Sequence, residues 1–365
     1  MIKYIGSKRR LVPVLGDLAE RTGARTALDL FTGTTRVAQE LKRRGATVTA
    51  VDTARYSEVL ARCYVQADAC AVNERELGAA IAHLDALPGR EGYFTETFCR
   101  RARFLQPHNG ARVDAIRDAI RDDFASSPLQ PILLTSLLEA ADRVDSTVGL
   151  QMAYLKQWAP RSHKPLELRV PALLRGGGTA LRGDACEIAS RVPEVDFAYL
   201  DPPYNQHSYY RNYHVWETLV AWDAPEHYGV ACKRADCRDP ATGSAFNSRR
   251  TFHDALAGTV GAVRARVLAL SHNDESWMSL AELVELCAVR GAVAVLEFDS
   301  ARYVGARIGI HNPAGERVGR VGRLRNVEYV VLSGERAEIL RVSSGACATS
   351  HSRRSAATVL ASSPP

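Results

Sequence analysis

The sequence has no long hydrophobic run, and this absence bears on where the chain acts. No segment of the 365 residues approaches the ~18 consecutive apolar residues of a membrane-spanning helix. The opening residues, MIKYIGSKRR, lack the apolar centre of a secretory signal peptide. Both absences favour a cytoplasmic protein that does not bind a membrane.

Metal-binding and disulfide patterns are also absent. The eight cysteines are scattered, and in a chain without a secretory signal we expect reduced thiols. Cys232 and Cys237 lie near His227, but their spacing fits no strong zinc pattern. The sequence therefore predicts no metal cofactor.

Lysine is scarce, with 6 of the 47 basic residues, so the positive charge is carried by arginine. Arginine forks suit phosphate groups, although a GC-rich genome gives the same bias without functional meaning. The net charge of +6 is compatible with a polyanionic partner but does not require one. Length and a hydrophobic fraction of 46% allow one large domain with an insertion, or two domains.

Alternating strand and helix patterns predict an α/β fold. TALDLF (26–31) leads into Gly33, a helical pattern and a second strand at 46–51 that closes on Asp52, which together make a βαβ unit. Further apolar, β-rich segments cover residues 195–200, 264–270 and 292–298. We expect polar turns after residues 200 and 270, and a doubly wound, mostly parallel, Rossmann-like sheet.

Four segments complete the predicted organisation. Residues 71–164 are helix-rich without a clear strand and predict a helical insertion, so the catalytic domain combines 1–70 with 165–340. Residues 205–260 are polar and basic with several aromatics, which is typical of loops at the edge of a sheet. Residues 343–365 are rich in Ser, Ala and Pro and predict a disordered tail.

The sequence YLDPPYNQHSYY (199–210) predicts a strand end that carries chemistry. Pro202 and Pro203 have no N–H for a sheet ladder, so the buried strand must end at Asp201. Its carboxylate is left at the carboxyl edge of the sheet, followed by a stiff turn that holds Tyr204. The alternative is a strand terminator with an aspartate cap and no chemistry.

Acidic residues at other strand ends indicate a cofactor site. Gly33 lets the backbone approach a ligand, Asp52 can accept hydrogen bonds from ribose hydroxyls, and Asp29 can reach an ammonium group or a water. The turn lacks the second and third glycines of a dinucleotide site, which argues against a bound pyrophosphate. With Asp184 as a third acid, the edge suits a cationic nucleoside such as S-adenosylmethionine and repels phosphate.

These motifs resemble the D12 class of N6-adenine-specific DNA methyltransferases. The matching segments are KYIGSKRRL (3–11), LDLFTGTTRVA (28–38), RGDA (182–185), DPPYNQHSYYRNYHVWETL (201–219) and ARYVGARIGIHNPAGERVGRVGRLRNVEYVVL (301–332), in consistent order. The glycine loop departs from the pattern at Thr34-Thr35, where many relatives have a second glycine.

The resemblance implies a role for each matching residue. Tyr4, Gly6 and Lys8 would line the methionine side of the cofactor. Asp29, Phe31, Thr32 and Gly33 would form its floor, Asp52 would bind the ribose, and Asp184 would lie near the cofactor adenine. Asp201, Pro202, Pro203 and Tyr204 would hold the target base, and the insertion would supply target recognition.

The chemistry explains this choice of residues. The lone pair of the exocyclic amine is delocalised into the adenine ring, so two acceptors, the Asp201 carboxylate and the Pro202 carbonyl, would draw density back onto nitrogen. Tyr204 would stack on the flipped base, a contact worth ~1–3 kcal/mol, which offsets much of the extrusion. Candidate DNA contacts in the following loops are Asn205, His207, Tyr209, Tyr210, Arg211, Lys233, Arg234, Arg249 and Arg250, with Tyr213 as a further member of a tyrosine stacking platform. Trp216 and Leu219 are predicted core residues.

Three other functions stay open at this stage. The same fold can methylate a cytosine N4 amine, an RNA base or a protein glutamine, although the aspartate at position 201 favours adenine. A catalytically inactive DNA-binding relative is the second, and a nicotinamide oxidoreductase, which needs the missing glycines, is the third. For an adenine methyltransferase the expected partners are double-stranded DNA and, genetically, a cognate restriction endonuclease, with a monomer as the default state.

Overall fold

The computed structural model describes residues 2–4, 8, 10–151, 157–206, 208–301, 325–344 and 358–360. The strands in this part of the chain are β1 (Thr26–Asp29), β2 (Thr47–Asp52), β3 (Thr179–Arg182), β4 (Val195–Leu200), β5 (His227–Tyr228), β6 (Lys233–Arg234), β7 (Ala265–Asn273), β8 (Ala292–Ala301), β9 (Arg325–Gly334) and β10 (Thr358–Leu360). Within the described residues, β5 and β6 form a small hairpin, and the other eight strands form one sheet in the order β10-β8-β9-β7-β4-β1-β2-β3.

The α-helices are α1 (Val12–Arg21), α2 (Arg36–Arg43), α3 (Arg55–Ala61), α4 (Glu74–Ala86), α5 (Pro107–Phe124), α6 (Gln130–Arg143), α7 (Ala185–Ile188), α8 (Tyr209–Asn212), α9 (His214–Ala221), α10 (Phe252–Ala262), α11 (Leu280–Ala288) and α12 (Arg336–Ser343). π-Helical turns cover Arg62–Gln66 and Thr95–Arg101, and 3-10 turns cover Pro160–His163, Ala235–Arg238, Pro240–Thr242 and Ala245–Asn247. None of the helices in the described ranges combines the length and apolar character that a bilayer-spanning helix needs.

The pairing of the strands confirms the predicted doubly wound, mostly parallel sheet. β1 pairs in parallel with β2 on one side and with β4 on the other, and β7 continues in parallel from β4. β9 runs antiparallel between β7 and β8. Because the chain leaves β1 in one direction and returns to its other side at β4, the ligand crevice is expected beyond the carboxyl ends of these two strands.

One predicted boundary was wrong, and a short strand lies within the predicted disordered tail. The predicted polar turn after residue 270 is strand, because Ser271, His272 and Asn273 extend β7 by pairing with Val330, Tyr329 and Glu328 of β9. Within the predicted disordered tail, Thr358–Leu360 pairs antiparallel with Val293–Val295 of β8 and so covers an otherwise open sheet edge. The other residues from 345 onward lie outside the described part of the chain.

Apolar side chains fill both faces of the sheet. Helices α1, α2 and α12 cover one face and α7, α10 and α11 cover the other. The described residues of 71–164 contain helices only, and their buried aromatics Phe94, Phe98 and Phe104 share a core with α3 and α9. Trp216 and Leu219 of α9 are buried in that core, as predicted. Residues 71–164 therefore pack directly against α3 and α9.

Candidate active site

Asp29 ends β1 with one carboxylate oxygen still available. Its Oδ2 accepts hydrogen bonds from Thr32 Oγ1 at 2.9 Å and from Ala38 N at 3.1 Å. Its Oδ1 is buried and has no hydrogen-bond partner among the described residues. Burial raises the pKa of Asp29 to about 7, against the two hydrogen bonds. A buried acceptor with spare capacity is uncommon unless a ligand or water completes it.

The turn after β1 is tied to the end of β2. Gly33 has a φ of +49°, and its N–H donates to Asp52 Oδ2 at 2.8 Å, while Asp52 Oδ1 accepts from Ala54 N at 3.0 Å. A Cβ added to Gly33 would lie 3.1 Å from Tyr4 Cε1, a close contact, and the left-handed φ itself favours glycine. Each Asp52 oxygen keeps a lone pair for a further donor. Burial raises the pKa of Asp52 above its ordinary value.

A cavity opens at this edge of the sheet, beside the carboxyl ends of β1, β2 and β4. Nine predicted site residues line it: Tyr4, Phe31, Gly33, Asp52, Asp184, Asp201, Pro203, Tyr209 and Tyr210. Asp184 also caps α7 by accepting from Cys186 N at 2.8 Å. The strand ends have thus been brought together around one cavity, with three carboxylates and several aromatic rings in its wall.

Lys8 forms a salt bridge with Asp201 and is not among the residues that line the cavity. Lys8 Nζ is 3.3 Å from Asp201 Oδ1 and 3.9 Å from Glu328 Oε2 of β9. Burial raises the pKa of Asp201 to about 6; the Lys8 ammonium opposes this shift and Glu328 adds to it. Burial alone would lower the pKa of Lys8, but the two carboxylates hold it above its ordinary value. Above about pH 6 the Asp201 carboxylate is therefore ionised and can act as an acceptor.

Tyr204 is held by the end of β7. Its hydroxyl accepts a hydrogen bond from Asn273 Nδ2 at 2.7 Å, and its ring meets His272 edge to face at 5.4 Å. Burial raises the pKa of Tyr204 to about 12, so its hydroxyl stays neutral. Pro202, two residues after the end of β4, is buried. Side chains at the end of β7 therefore hold Tyr204 in place.

The tyrosines after this segment pack on the N-terminal segment. Tyr4 stacks on Tyr209 at 5.2 Å and on Tyr213 at 4.6 Å between ring centroids. Tyr213 is only 1% exposed, so its predicted role in a base-stacking platform is wrong, because both neighbours already cover it. The Tyr210 hydroxyl donates to Asp236 Oδ2 at 3.0 Å.

Two basic residues predicted to contact DNA, Lys233 and Arg234, are more buried than the other basic candidates. Arg234 is 5% exposed and donates to Asp223 and Asp236 at 2.7 Å each, so its predicted phosphate contact is wrong: its charge is consumed inside the protein. Lys233 is only partly buried.

The remaining predicted DNA contacts are at the surface. Arg211, Arg249 and Arg250 are exposed, although Arg211 Nε also donates to the carbonyl of Cys237 at 2.8 Å. The carbonyl of Asn205 accepts from Asn247 Nδ2 at 2.8 Å. Gly6 and His207 lie outside the described residues.

Several residues that line the cavity were not predicted from the sequence. The segment 242–247 contributes Thr242, Ser244, Phe246 and Asn247 to the wall, although it was predicted as part of a DNA-contacting loop. Phe246 is buried and meets Phe31 edge to face at 5.0 Å. A lone aromatic residue in a segment of otherwise small and polar residues, as in SAFN (244–247), was the available signal that this segment folds inward.

Comparison with known proteins identifies the family. Residues 4–257 match the D12 class N6 adenine-specific DNA methyltransferases. Type II methyltransferase M.NlaIII of Neisseria lactamica is 27% identical over 318 residues, covering 83% of this chain and 92% of that protein. Type II methyltransferase M.CviAII of Paramecium bursaria Chlorella virus 1 is 27% identical over 323 residues, with the same two coverages of 83% and 92%. Modification methylase StsI of Streptococcus sanguinis is 26% identical over 323 residues, and the match spans 49% of its length. Because the family match covers well over half of the sequence, the chain belongs to the D12 class of N6 adenine-specific DNA methyltransferases.

Proposed function

We propose that this enzyme methylates the N6 amine of an adenine flipped out of double-stranded DNA, with Asp201 and Pro202 as the groups that receive the amine. The observation that carries the proposal is the position of Asp201. It follows β4 directly, lines the cavity shared with Gly33 and Asp52, and is followed by two prolines that fix the backbone. S-Adenosylmethionine, the methyl donor of such enzymes, supplies an electrophilic methyl group when bound.

Residues that line the cavity, together with Asp29 next to the lining residue Leu30, fit that donor. Asp29 Oδ1 is a buried carboxylate oxygen without a partner among the described residues, which suits an ammonium group. Asp52 has lone pairs to spare for ribose hydroxyls. Phe31 and Phe246 offer apolar ring surface for an adenine, with Asp184 nearby in the wall. Carboxylates around the cavity favour a cation over a phosphate.

Asp201 and Pro202 act on the nucleophile. Their oxygens accept the two N–H groups of N6, which returns lone-pair density to the nitrogen and fixes its direction. The Asp201 carboxylate would compensate the positive charge that develops on N6 as the methyl carbon bonds to it, while the sulfonium sulfur of the donor would keep the electron pair of the broken sulfur–methyl bond. The surplus proton then leaves N6 toward that carboxylate, so the product is neutral N6-methyladenine. No covalent bond to the protein is required.

Base extrusion needs contacts that offset its cost of a few kcal/mol. Tyr204 provides a stacking face held in place by Asn273 and His272, worth about 1–3 kcal/mol. Exposed Arg211, Arg249 and Arg250 are proposed to contact phosphates, and Asn205, His207, Tyr209 and Tyr210 to border the DNA. We assign target recognition to the insertion (71–164), because it packs on the helices beside the cavity.

The relatives suggest the biological setting. Two of them are named type II methyltransferases and one a modification methylase. By analogy, we propose that this enzyme protects host DNA against a cognate restriction endonuclease. We further propose that it acts in the cytoplasm as a monomer.

A plasmid assay tests the proposed function. DNA from cells expressing the wild type, Asp201→Ala or Asp254→Ala is analysed by mass spectrometry and single-molecule sequencing. Asp254 is the matched control because its side chain is 90% exposed on α10. We expect N6-methyladenine at one sequence motif with the wild type and Asp254→Ala, and its loss with Asp201→Ala. Full methylation by Asp201→Ala, or N4-methylcytosine as the product, would contradict the proposal.

A further inference from the structure

Glu328 is a second carboxylate beside the amine-receiving group, and the sequence motifs give it no role. It lies on β9 opposite Asn273 of β7, at the same sheet edge as Asp201. The ammonium of Lys8 is shared between the two carboxylates, at 3.3 Å from Asp201 and 3.9 Å from Glu328. The Lys8 side chain is only 5% exposed, whereas those of Asp201 and Glu328 are 19% and 20% exposed.

This arrangement creates a conflict with the proposed reaction. In the free enzyme Lys8 donates to the same Asp201 carboxylate that the adenine N6 must use. As positive charge develops on N6, a cation on that carboxylate opposes it, because like charges repel strongly at short range in a poorly solvated site. Lys8 cannot turn outward to water without leaving its buried position. It therefore needs another carboxylate within reach.

We infer, on the basis of the proposed function, that Glu328 is a positioning residue that takes the Lys8 ammonium when the target adenine engages Asp201. Lys8 occupies the amine acceptor in the absence of DNA and moves toward Glu328 as the base enters. The move is short, because Glu328 Oε2 already lies 3.9 Å from Lys8 Nζ. Lys8 thus serves the target side of the site, not the methionine side that the sequence motif implied.

The electrostatics of the site give this exchange a measurable signature. Burial raises the pKa of Asp201 to about 6, Lys8 opposes the shift, and Glu328 adds to it. Other titratable groups that face Asp201 are Asp29 from β1, Tyr199 from β4, Tyr204 from the turn after β4 and Tyr209 from α8. Removing the charge of Glu328 must lower the pKa of Asp201, and removing that of Lys8 must raise it.

The test measures kcat and the pH profile of kcat/KM for Glu328→Gln, Lys8→Met and the control Glu297→Gln. Glu297 neighbours the same edge on β8, but it pairs with Tyr329, so its side chain leaves the sheet on the face opposite to Glu328. We expect Glu328→Gln to lower kcat on the order of tenfold and to move the acidic limb down by about half a pH unit. Lys8→Met should move that limb up by roughly one pH unit. Glu297→Gln should match the wild type.

Two further measurements separate this exchange from a structural effect. The Kd of S-adenosylmethionine and the unfolding midpoint of Glu328→Gln should stay within twofold and within 1–2 °C of the wild type, roughly the scatter of a neutral surface change. The inference would be overturned if the acidic limbs of the pH profiles of Glu328→Gln and Lys8→Met moved in the same direction. It would also be overturned if the profile of Glu328→Gln superimposed on that of the wild type. Failure of the proposed function is distinct, because it would appear as activity in Asp201→Ala.

Discussion

Two buried aspartates, one in the insertion and one at the sheet edge, are treated differently by their surroundings. Asp114 on α5 accepts hydrogen bonds from the N–H groups of Gly92, Phe94 and Thr95 and from Thr95 Oγ1, at 2.6–3.0 Å. Asp29 has two donors on one oxygen and none, among the described residues, on the other. Burial raises the pKa of both carboxyls. The saturated carboxylate stabilises the fold, whereas the unsaturated one keeps binding capacity at a cost in stability.

Asp114→Ala should have the largest effect on stability. The substitution leaves the buried N–H groups of Phe94 and Thr95, the buried Thr95 hydroxyl and the N–H of the exposed Gly92 without this acceptor, which costs about 3–5 kcal/mol of the free energy of unfolding. Urea unfolding measures this loss of free energy, provided that the dependence of the free energy on urea concentration is the same in the variant and the wild type. Asp114→Asn, which keeps one oxygen, should lose less.

At temperatures where the Asp114→Ala variant is folded, its affinity for S-adenosylmethionine should equal that of the wild type. A loss of stability below 1 kcal/mol, or a selective loss of cofactor affinity, would remove the distinction between the two aspartates.

Asp29→Asn is expected to increase the stability of the fold, whereas Asp114→Ala decreases it. A carboxyl whose folded pKa lies near 7 stabilises the fold when it is protonated, and this contribution is lost as pH rises from about 4 to about 7. Because asparagine carries no charge to bury, the variant should be more stable than the wild type at pH 8 by about 1–3 kcal/mol. The difference should vanish near pH 4. Unfolding titrations at several pH values measure both quantities.

The same Asp29→Asn variant should bind S-adenosylmethionine at least tenfold more weakly, roughly the loss of one charge-assisted hydrogen bond. Titration calorimetry at pH 8 gives the Kd, with Asp254→Asn as the exposed control on α10. Unchanged affinity together with higher stability would show that the spare oxygen of Asp29 serves no ligand.

Site residues at strand ends could be predicted from the sequence, whereas residues that depend on burial or on long-range contacts could not. Asp29, Asp52 and Asp201 were predictable because each directly follows or ends an apolar strand, and parallel strands bring such ends together. Glu328 was not, since its contact with Lys8 joins opposite ends of the chain and no local pattern marks it. Arg234 and Arg211 look alike in sequence, yet Asp223 and Asp236 neutralise the first inside the protein while the second is exposed. The roles of Glu328, Arg234 and Arg211 therefore depend on burial and on contacts between distant parts of the chain, which a residue's place along a strand does not reveal.

Two glycines with positive φ allow a smaller test at the sheet edge. Gly23 (φ +67°) has nothing within 4 Å of an added Cβ, whereas at Gly33 (φ +49°) that atom would approach Tyr4. Gly23→Ala should cost about 1 kcal/mol in stability from left-handed strain alone. Gly33→Ala should cost more and also weaken S-adenosylmethionine binding, by about tenfold, because Tyr4 and the turn line the cavity. Equal Kd values for the two variants would contradict the proposed cofactor turn.

Thr35 is expected to give the smallest effect, because three contributions nearly cancel. It belongs to the pair Thr34-Thr35, at which the glycine loop departs from the family pattern, and it has a left-handed φ of 63°, which is costly for a β-branched residue, about 1–2 kcal/mol. Thr35→Gly relieves that strain but loses the hydrogen bond from Gln39 Nε2 to Thr35 Oγ1 at 2.8 Å, worth about 0.5–1.5 kcal/mol. It also adds freedom to the unfolded chain, about 0.5–1 kcal/mol.

The net change for Thr35→Gly should therefore stay within about 1 kcal/mol in unfolding experiments. Thr35→Ala separates the contributions, since it keeps the strain and removes the hydrogen bond, and it should be the less stable of the two variants. If Thr35→Gly instead loses more than 2 kcal/mol, the Gln39 contact, and not the backbone conformation, determines the residue at this position.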